Sequence, residues 1–404
     1  MLFTIAWRNI WRNRRRSLII MVSVIVGVSA VMVNDGLMVG MIHQMLDNQI
    51  GSHVSHIQIH AKGFNANPVV QNVIPERQRV ERALEGTAGI RDWSRRNVSF
   101  GLLSSARNSA GGRIVGVEAD NETAITSIHA SIIDGKYLSG KPREMLLGRR
   151  MAEKLKVGPG DKVVGMASAM SGDVGSELFR VVGIYETLSS EFDKGYVFTS
   201  LEDTRNMLEL GDNVLEYAVI VENLDDIEHV TQKLRETLGA EYEVLSYADL
   251  LPLLVAQVEL YGQMMYIIYV IIGLAMIFGI VNTMLMSVFE RIQEFGVLMA
   301  IGMKNSYVFR MVMIEALLLA LIGTGAGILL GIAMLLPLGT IGIDLSIFAE
   351  SLTSFGAGAI IYPRLTINSI VSVVLIIPVT ALLGALYPAL KATRLQPVTA
   401  IRYV

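Results

Sequence analysis

The sequence predicts a membrane protein with four transmembrane α-helices and a large extracytoplasmic α+β domain inserted between the first and the second helix. Composition is the first reason: of the 404 residues, 52% are hydrophobic, only 18% are charged, and the mean hydropathy is +0.48. A soluble chain of this size carries more charge. The second reason is that four apolar runs are long enough to cross a bilayer. The third is that about 200 residues after the first run alternate between strand-like and helix-like patterns.

The four membrane helices are predicted from these apolar runs. About 20 residues, each rising about 1.5 Å, cross the hydrocarbon core, so the first two runs are longer than they need to be. Their outer ends, 35–46 and 250–263, are predicted to continue as stalk helices beyond the lipid. Because apolar residues continue past the V-S-A sequence at 28–30, we expect an uncleaved anchor and not a signal peptide. Helix and stalk segments are predicted at 17–46 and 251–289, and the remaining helices lie in 307–338 and 367–404.

The distribution of Lys and Arg predicts the orientation. Residues 1–16 carry five arginines and no acidic residue, and the link at 290–306 adds Arg291 and Lys304. The loop at 339–366 has only Arg364 against two acidic residues. By the positive-inside rule, both termini and the 290–306 link are predicted to be cytoplasmic. The 47–250 insert and the 339–366 loop are then predicted to lie outside.

The insert at 47–250 is predicted to fold as an α+β domain of one or two lobes. SHVSHIQIH (52–60) alternates like a strand, and 145–167 reads as strand, helix, Pro-Gly turn and strand. Residues 216–247 read as strand, helix and strand. Ser200, with Asp203 three residues later, resembles a capping box at a helix start. If there are two lobes, their boundary is expected within 100–180.

The residues that carry chemistry in enzymes do not form a convincing site in this sequence. With no cysteine, disulfides and thiolate metal sites are excluded, and no P-loop or nucleophile elbow is present. On a strand, His53 would point away from His56 and His60, so we predict no metal site and interpret the three as polar positions on a solvated face. Glu315, inside an apolar run, is expected to pack between helices or lie near the interface; the alternative is a buried relay group.

Three glycines in the third apolar run are predicted to serve helix packing. Gly323, Gly327 and Gly331 recur every four residues, which places them on one helix face. Small residues at this spacing let helices approach closely in lipid. The partner helix is expected either within the same subunit or in another one.

Three stretches predicted to be cytoplasmic carry specific patterns. Residues 2–16 form an amphipathic sequence suited to an interfacial helix, with Trp7 and Trp11 as anchors. Its pattern A-x-R-N-x-x-R-N-x-x-R is formed by Ala6, Arg8, Asn9, Arg12, Asn13 and Arg16. FERIQEFGVLMAIG (289–302) supplies E-R-x-x-E-x-G-x-L-x-A-x-G through Glu290, Arg291, Glu294, Gly296, Leu298, Ala300 and Gly302. The tail pattern is formed by Tyr387, Pro388, Ala389, Ala392, Arg394, Pro397, Ala400 and Arg402.

Together, these stretches resemble the permease subunits of the ABC transporter family that includes the lipoprotein-releasing (Lol) permeases, the macrolide exporter and the cell-division permease. The resemblance covers the whole chain and implies an FtsX-like permease with a MacB-like periplasmic domain in the bacterial inner membrane. It implies no catalysis and no cofactor on this chain, because ATP and Mg are bound by a separate ATPase. It also implies that 290–306 holds a coupling helix, which transmits ATP-driven motion to the periplasmic domain. The residues implied in ATPase coupling are Glu290, Arg291, Glu294, Phe295, Gly296, Leu298, Met299 and Gly302, with Val297 among the buried contacts.

The resemblance also implies partners and a substrate. The partners are cytoplasmic ATPase subunits, a second permease subunit of the same or a homologous kind, and a periplasmic carrier or adaptor. The chain looks most like the lipoprotein-releasing branch, in which lipidated substrates enter a cavity between the first two helices. The corresponding residues here are Val33, Leu37, Met41, Tyr261, Met265 and Tyr269. The segment that would form a carrier-docking hook, 167–176, is short and lacks apolar content.

Two alternative functions stay open at the level of sequence. One is an efflux or lipid-export permease that works with a periplasmic adaptor. The other is a mechanotransmitting signalling complex that moves no substrate and activates a cell-wall hydrolase. None of these readings involves nucleic acid.

Overall fold

The computed structural model describes residues 2–12, 14–354 and 356–394, and the chain divides into two compact units. The helical unit comprises Met1–Met41, Gln257–Asp344 and Ile360–Val404. The sheet unit comprises Ile42–Ala256 and Leu345–Ala359. Among the motif residues, Asn13, Pro397, Ala400 and Arg402 lie outside the described residues.

The helices follow the order expected from the sequence. Four of them, α2, α10, α12 and α14, are long and apolar enough to cross a membrane, which confirms the predicted fold class. The first two extend through most of the predicted stalk residues. The helices are α1 (Leu2–Arg12), α2 (Arg14–Gln49), α3 (Arg77–Glu85), α4 (Ala119–Ile125), α5 (Arg149–Leu155), α6 (Ser190–Gly195), α7 (Leu201–Met207), α8 (Ile227–Leu238), α9 (Tyr247–Leu250), α10 (Pro252–Glu290), α11 (Ile292–Ala300), α12 (Asn305–Ile341), α13 (Ala349–Ser354) and α14 (Ile367–Thr393).

The three glycines at four-residue spacing pack against α2 within the chain. A Cβ atom added to Gly323 would lie 2.8 Å from the Cβ of Val24, and one added to Gly327 would lie 2.7 Å from the Cβ of Val28. A Cβ atom on Gly331 would lie 2.8 Å from the Sδ of Met32. The contact residues on α12 and those on α2 therefore both recur every four residues. At these glycines α12 approaches α2 too closely for a larger side chain.

The sheet unit is built on one mixed sheet. The strands are β1 (Ile57–Ala61), β2 (Ile90–Ser104), β3 (Ser109–Val117), β4 (Ile132–Gly135), β5 (Glu144–Gly148), β6 (Lys162–Ser168), β7 (Val174–Tyr185), β8 (Tyr196–Ser200), β9 (Glu216–Val221) and β10 (Tyr242–Ser246), and the short pair β11 (Ile343–Asp344) and β12 (Ile360–Ile361) belongs to the helical unit. The order in the large sheet is β10-β1-β9-β2-β3-β8-β5-β7-β4, and β6 pairs with β2 and β7. One continuous sheet runs through the 100–180 region, so the described strands do not separate there into two sheets.

Local sequence explains several of these elements. All six residues of β9 (EYAVIV) are buried, since β9 lies between β1 and β2 and is covered on both faces. Helix α8 buries Val230, Leu234 and Leu238, which recur every four residues and form one helix face. The hydroxyl of Ser200 accepts a hydrogen bond from the amide of Asp203 at 3.0 Å and so caps α7.

Two expectations about residues 52–60 were wrong. The strand begins only at Ile57, and residues 50–54 form a π-helical turn. His53 and His60 are buried at 6% and 3% exposure and are not on a solvated face. Sequence alternation does not distinguish a solvated strand from one whose polar side chains are covered by another segment, and here the covering contacts come from elsewhere in the chain.

A buried ion network holds this part of the sheet unit together. The guanidinium of Arg96, with a fully buried side chain, donates to both carboxylate oxygens of Glu122 at 2.6 and 3.1 Å and to Glu216 at 3.0 Å. It also donates to the carbonyl oxygen of His53 at 2.5 Å. Burial, followed by the charge of Arg96, holds the pKa of His53 well below its usual value, so this imidazole stays neutral.

The segment corresponding to a carrier-docking hook is a short hairpin turn. Residues 169–173 connect β6 to β7, and the amide of Ala169 donates to the carbonyl of Asp173 at 2.8 Å. Ser168 pairs with Val174 in the first register position after the turn. The turn therefore contains five residues, too few to project an apolar arm.

Candidate functional site

The candidate site is α11, the short helix in the link between α10 and α12. Arg291 occupies its N-cap position, and Ile301 follows its last residue. The chain then turns at Gly302 with φ +100°, a conformation that favours glycine. The amides of Gly302 and Met303 donate to the carbonyls of Met299 and Leu298, each at 3.0 Å, which satisfies two carbonyl groups at the helix end. The sequence thus fixes both ends of the helix.

Helix α11 has an inner and an outer face. Ile292, Phe295 and Gly296 are buried in the helical unit. Their spacing of three and four residues creates one apolar stripe along the helix. On the outer face Val297 is 46% exposed, and Ile301, just beyond the helix, is 80% exposed. The outer face therefore offers apolar surface that the described residues leave uncovered.

An ion-pair network attaches the inner side of α11 to α12. Arg291 donates from Nη1 to Glu315 at 2.9 Å and from Nε to Glu294 at 3.2 Å. Its guanidinium carbon lies 5.0 Å from the centre of the Phe295 ring. The side chains of Arg291 and Glu315 are each only 7% exposed. Glu315 is thus a buried structural partner of the link and packs between helices, as the favoured interpretation expected.

A second set of ion pairs attaches the link to the N-terminal segment. Arg12 in α1 donates from Nη2 to both carboxylate oxygens of Glu294 at 2.6 Å. Arg16 in α2 forms an ion pair with Glu290 at the end of α10. Burial opposes ionisation of Glu294, but hydrogen bonds from Arg12 and Arg291 outweigh it and lower the pKa of its carboxyl group. The Glu294 carboxylate is therefore ionised, and both motif carboxylates form ion pairs within the chain.

The eight residues implied in ATPase coupling thus occupy different places. Arg291, Phe295 and Gly296 face inward, Leu298 and Met299 are half-buried, and Glu290, Glu294 and Gly302 are exposed. The expectation that Phe295 is a direct partner contact needs correction, because its side chain is fully buried in the chain's own core. Ile301 is the exposed residue that the sequence reasoning missed; its position beside Gly302 at a helix end was the available signal.

The residues implied in a substrate cavity lie on α2 and α10. Met265 is buried, and the side-chain amide of Asn34 donates to its Sδ at 3.4 Å. Val33 and Tyr269 pack against the core of the helical unit. Leu37, Met41 and Tyr261 are half-buried. The structure thus brings the two helices together at the level of Asn34 and Met265, while the role of the six residues in binding stays a prediction.

No group of three or more histidine or acidic side chains in the described part of the chain is arranged to hold a metal ion.

In the tail motif, Ala389 and Ala392 are fully buried in the core of the helical unit, and Tyr387 is exposed. In the N-terminal motif, Ala6 and Ile10 are buried, whereas Trp7 and Trp11 are exposed. These motif positions thus serve packing on one face and leave the aromatic rings outside.

Two family descriptions match the chain. Residues 17–237 match the MacB-like periplasmic core domain, and residues 266–397 match the FtsX-like permease C-terminal region. The first match covers more than half of the chain. The two matches together include the candidate site and most of both units.

Three individual relatives share a quarter or less of their aligned residues with this chain. The lipoprotein-releasing system transmembrane protein LolC of Xylella fastidiosa (strain Temecula1) is 24% identical over 301 residues, which cover 71% of this chain and 72% of LolC. The pyoverdine export ATP-binding/permease protein PvdT of Pseudomonas syringae pv. tomato is 25% identical over 424 residues, covering 98% of this chain and 58% of PvdT. The crystal structure of the periplasmic region of MacB from Actinobacillus actinomycetemcomitans matches 50% of this chain and 93% of that one, at 13% identity and a TM-score of 0.35.

Proposed function

The chain belongs to the ABC transporter permeases with a MacB-like periplasmic core domain and an FtsX-like permease region, and on that premise we propose that it releases lipoproteins from the bacterial inner membrane. The observation that carries this proposal is the similarity to LolC over 72% of that protein's length. LolC is a transmembrane protein of a lipoprotein-releasing system. In this proposal a separate ATPase hydrolyses ATP, and lipidated substrates enter between α2 and α10.

The proposed docking surface for the ATPase is the outer face of α11. Val297 and Ile301 supply exposed apolar contact area, and the neighbouring charges of Glu290 and Glu294 set the register of the partner. The ion pairs of Arg291 fix α11 to α12, and Arg12 fixes it to α1. A push on α11 is therefore passed to whole helices instead of being absorbed by a loose loop. This assignment places both termini and α11 in the cytoplasm.

The proposal is tested by depleting the protein in its native host and separating inner from outer membrane by density. We expect outer-membrane lipoproteins to accumulate in the inner membrane. Complementation with the wild-type chain should restore their distribution, and complementation with Val297→Glu should fail because the charge would be buried against the ATPase. The matched control is Leu224→Glu, since Leu224 is 63% exposed in the sheet unit and lies outside 167–176. An unchanged distribution after depletion would reject lipoprotein release.

Export of a small molecule is the second candidate function. It is favoured by one observation, the alignment of 98% of this chain with the pyoverdine exporter PvdT. In that case depletion should leave lipoprotein distribution unchanged and reduce secretion of a small product. Co-purification with a periplasmic adaptor would support this alternative, whereas co-purification with a cell-wall hydrolase would support the signalling function. Val297→Glu should impair any of these functions, because all of them use the ATPase.

A further inference from the structure

We propose that the sheet unit binds a small organic anion, an oxyanion such as a carboxylate joined to a flat apolar body, in a cavity of about 230 Å³ beside Arg113. The cavity lies on one face of the large sheet. Strand register places Phe100, Arg113 and Tyr196 in one row across β2, β3 and β8, so their side chains share that face. All three line the cavity.

Arg113 is the group that recognises the anion. Its guanidinium carbon lies 4.7 Å from the centre of the Phe100 ring and 5.2 Å from that of Tyr196. One nitrogen, Nη1, donates to the hydroxyl of Tyr196 at 2.5 Å. Within the described part of the chain, no carboxylate lies within ion-pair distance of Arg113. The half-buried guanidinium is thus held in place by two rings and keeps N–H groups free, a geometry that suits two oxygens of an oxyanion.

Two other ionisable groups of the wall, Glu216 and His60, are already hydrogen-bonded within the protein. Glu216 receives a hydrogen bond from Arg96 at 3.0 Å. The Nε2 of His60 lies 3.0 Å from Gln58 Oε1, and its Nδ1 lies 3.4 Å from the carbonyl of Leu215. Because the Glu216 side chain is only 3% exposed and points its carboxylate at Arg96 and His60, it offers a cationic ligand little surface to contact. Arg113 is therefore the charged group that determines which ligand is preferred.

The wall also carries aromatic and aliphatic side chains that can contact a flat ligand body. The Phe64 ring stacks on His60 with centroids 4.9 Å apart and an angle of 12° between the rings. Val98, Leu250 and Leu251 complete the apolar lining. Binding sites for small molecules commonly combine such apolar walls with one or two polar anchors. The volume restricts the ligand to a small molecule or to the end group of a larger one.

The cavity is also placed where a ligand would affect both connections to the membrane helices. Gln49, the last residue of α2, and Val54, in the π-helical turn that follows, line it from one side. Leu250 and Leu251 line it from the segment that precedes α10. A bound ligand therefore contacts both segments and links them within the sheet unit. The inference holds whichever cargo the permease handles, because it concerns a different set of residues.

The test is isothermal titration of the full chain in nanodiscs with 2-naphthoate, with empty nanodiscs as the blank. Two probes of the same shape, neutral 2-naphthamide and cationic 2-naphthylmethylammonium, separate charge recognition from apolar binding. Arg113→Gln removes the anchor. Arg79→Gln is the matched control, because the Arg79 guanidinium lies 5.7 Å from the Tyr242 ring and outside the cavity.

We expect saturable binding of 2-naphthoate, a loss of about tenfold or more in affinity for Arg113→Gln, and no change for Arg79→Gln. The amide and the ammonium probe should bind at least tenfold more weakly to the wild-type chain. The inference is overturned if 2-naphthoate does not bind, if the amide binds equally well, or if the ammonium probe binds more tightly. If Arg113→Gln fails to fold, Phe100→Leu replaces it, since Phe100 is 55% exposed; unchanged affinity there would also count against the site.

Discussion

Replacing Arg291 by glutamine is expected to destabilise the helical unit by about 3–5 kcal/mol, the cost of removing one partner from a buried ion pair. The reason is Glu315, whose side chain is 7% exposed and receives its 2.9 Å hydrogen bond from Arg291. Without the guanidinium, a carboxylate stays among apolar helix residues. The energetic cost at Glu294 is smaller, because its side chain is 45% exposed and keeps its 2.6 Å contact with Arg12.

A second substitution separates the buried charge from the general loss of packing. In the double variant Arg291→Gln/Glu315→Gln, both buried side chains are neutral amides. We expect this variant to be more stable than Arg291→Gln alone by about 2 kcal/mol, since the unpaired charge is gone while the lost volume is the same. A rescue by a second mutation is not expected if Arg291 acts only through its contact with Phe295.

The measurement is thermal unfolding of the purified chain, followed by tryptophan fluorescence. Trp7 and Trp11 lie in α1, the helix that contributes Arg12 to the network. With about 2–4 °C for each kcal/mol, Arg291→Gln should lower the Tm by roughly 6 °C or more. The control is Arg310→Gln, an exposed position on α12, which should leave the Tm within about 1 °C. Equal Tm values for Arg291→Gln and the double variant would refute the reasoning.

Three further predictions follow from packing, charge and pH. Gly327→Ala should lower the free energy of unfolding by about 1–3 kcal/mol, because its Cβ would lie 2.7 Å from the Cβ of Val28. Gly325→Ala should be neutral or slightly stabilising, because no atom lies within 4 Å of the added Cβ. The Tm values of the two variants give the comparison. Arg96→Gln should destabilise the sheet unit by about 3–5 kcal/mol, because it leaves Glu122 and Glu216 buried without their cation; far-UV circular dichroism during urea unfolding measures this loss. The sheet unit should lose stability as the pH falls below about 6.5, because burial lowers the pKa values of His53 and His60, so the unfolded histidines take up protons that the folded ones do not. Burial raises the pKa of Asp193 to about 6, so protonation of this carboxyl group stabilises the folded state below that pH and opposes the histidine effect. The histidine effect is therefore read as the difference in Tm between the wild type and His60→Gln from pH 7.5 to 5.5. Identical pH profiles for the two proteins would contradict it.

The predicted elements that matched the structure are those with a strong local signal. The four membrane helices follow from apolar runs, and the pairs of strand and helix around β5, β8 and β9 follow from alternation and turn residues. The segment at 52–60 failed because the pattern of its polar residues fits both a solvated strand and a covered one. Burial of His53 and His60 depends on segments far away in the sequence, and alternation carries no information about them.

In the candidate site, too, some features follow from the local sequence and others depend on distant residues. Its helix, its N-terminal and C-terminal limits and its apolar stripe are local properties of residues 289–302. Which face is covered depends on the neighbouring helices, so Phe295 turned inward although its type fitted a partner contact. The pairing of Arg12 with Glu294, 282 residues apart, has no local signature at all.

The sequence by itself determined the membrane class, the number of candidate spanning helices, the place of the inserted domain and the motif at 289–302. Hydropathy and periodicity depend only on neighbouring residues. Because unpaired backbone groups are costly in lipid, a long apolar segment that enters the bilayer must form a helix. The tertiary structure decided the register of Gly323, Gly327 and Gly331 on α2, the burial of Glu315 with Arg291, and the open guanidinium of Arg113 beside its cavity. These features depend on distances between segments that are remote in the chain, and such distances are set by the packing of the whole unit.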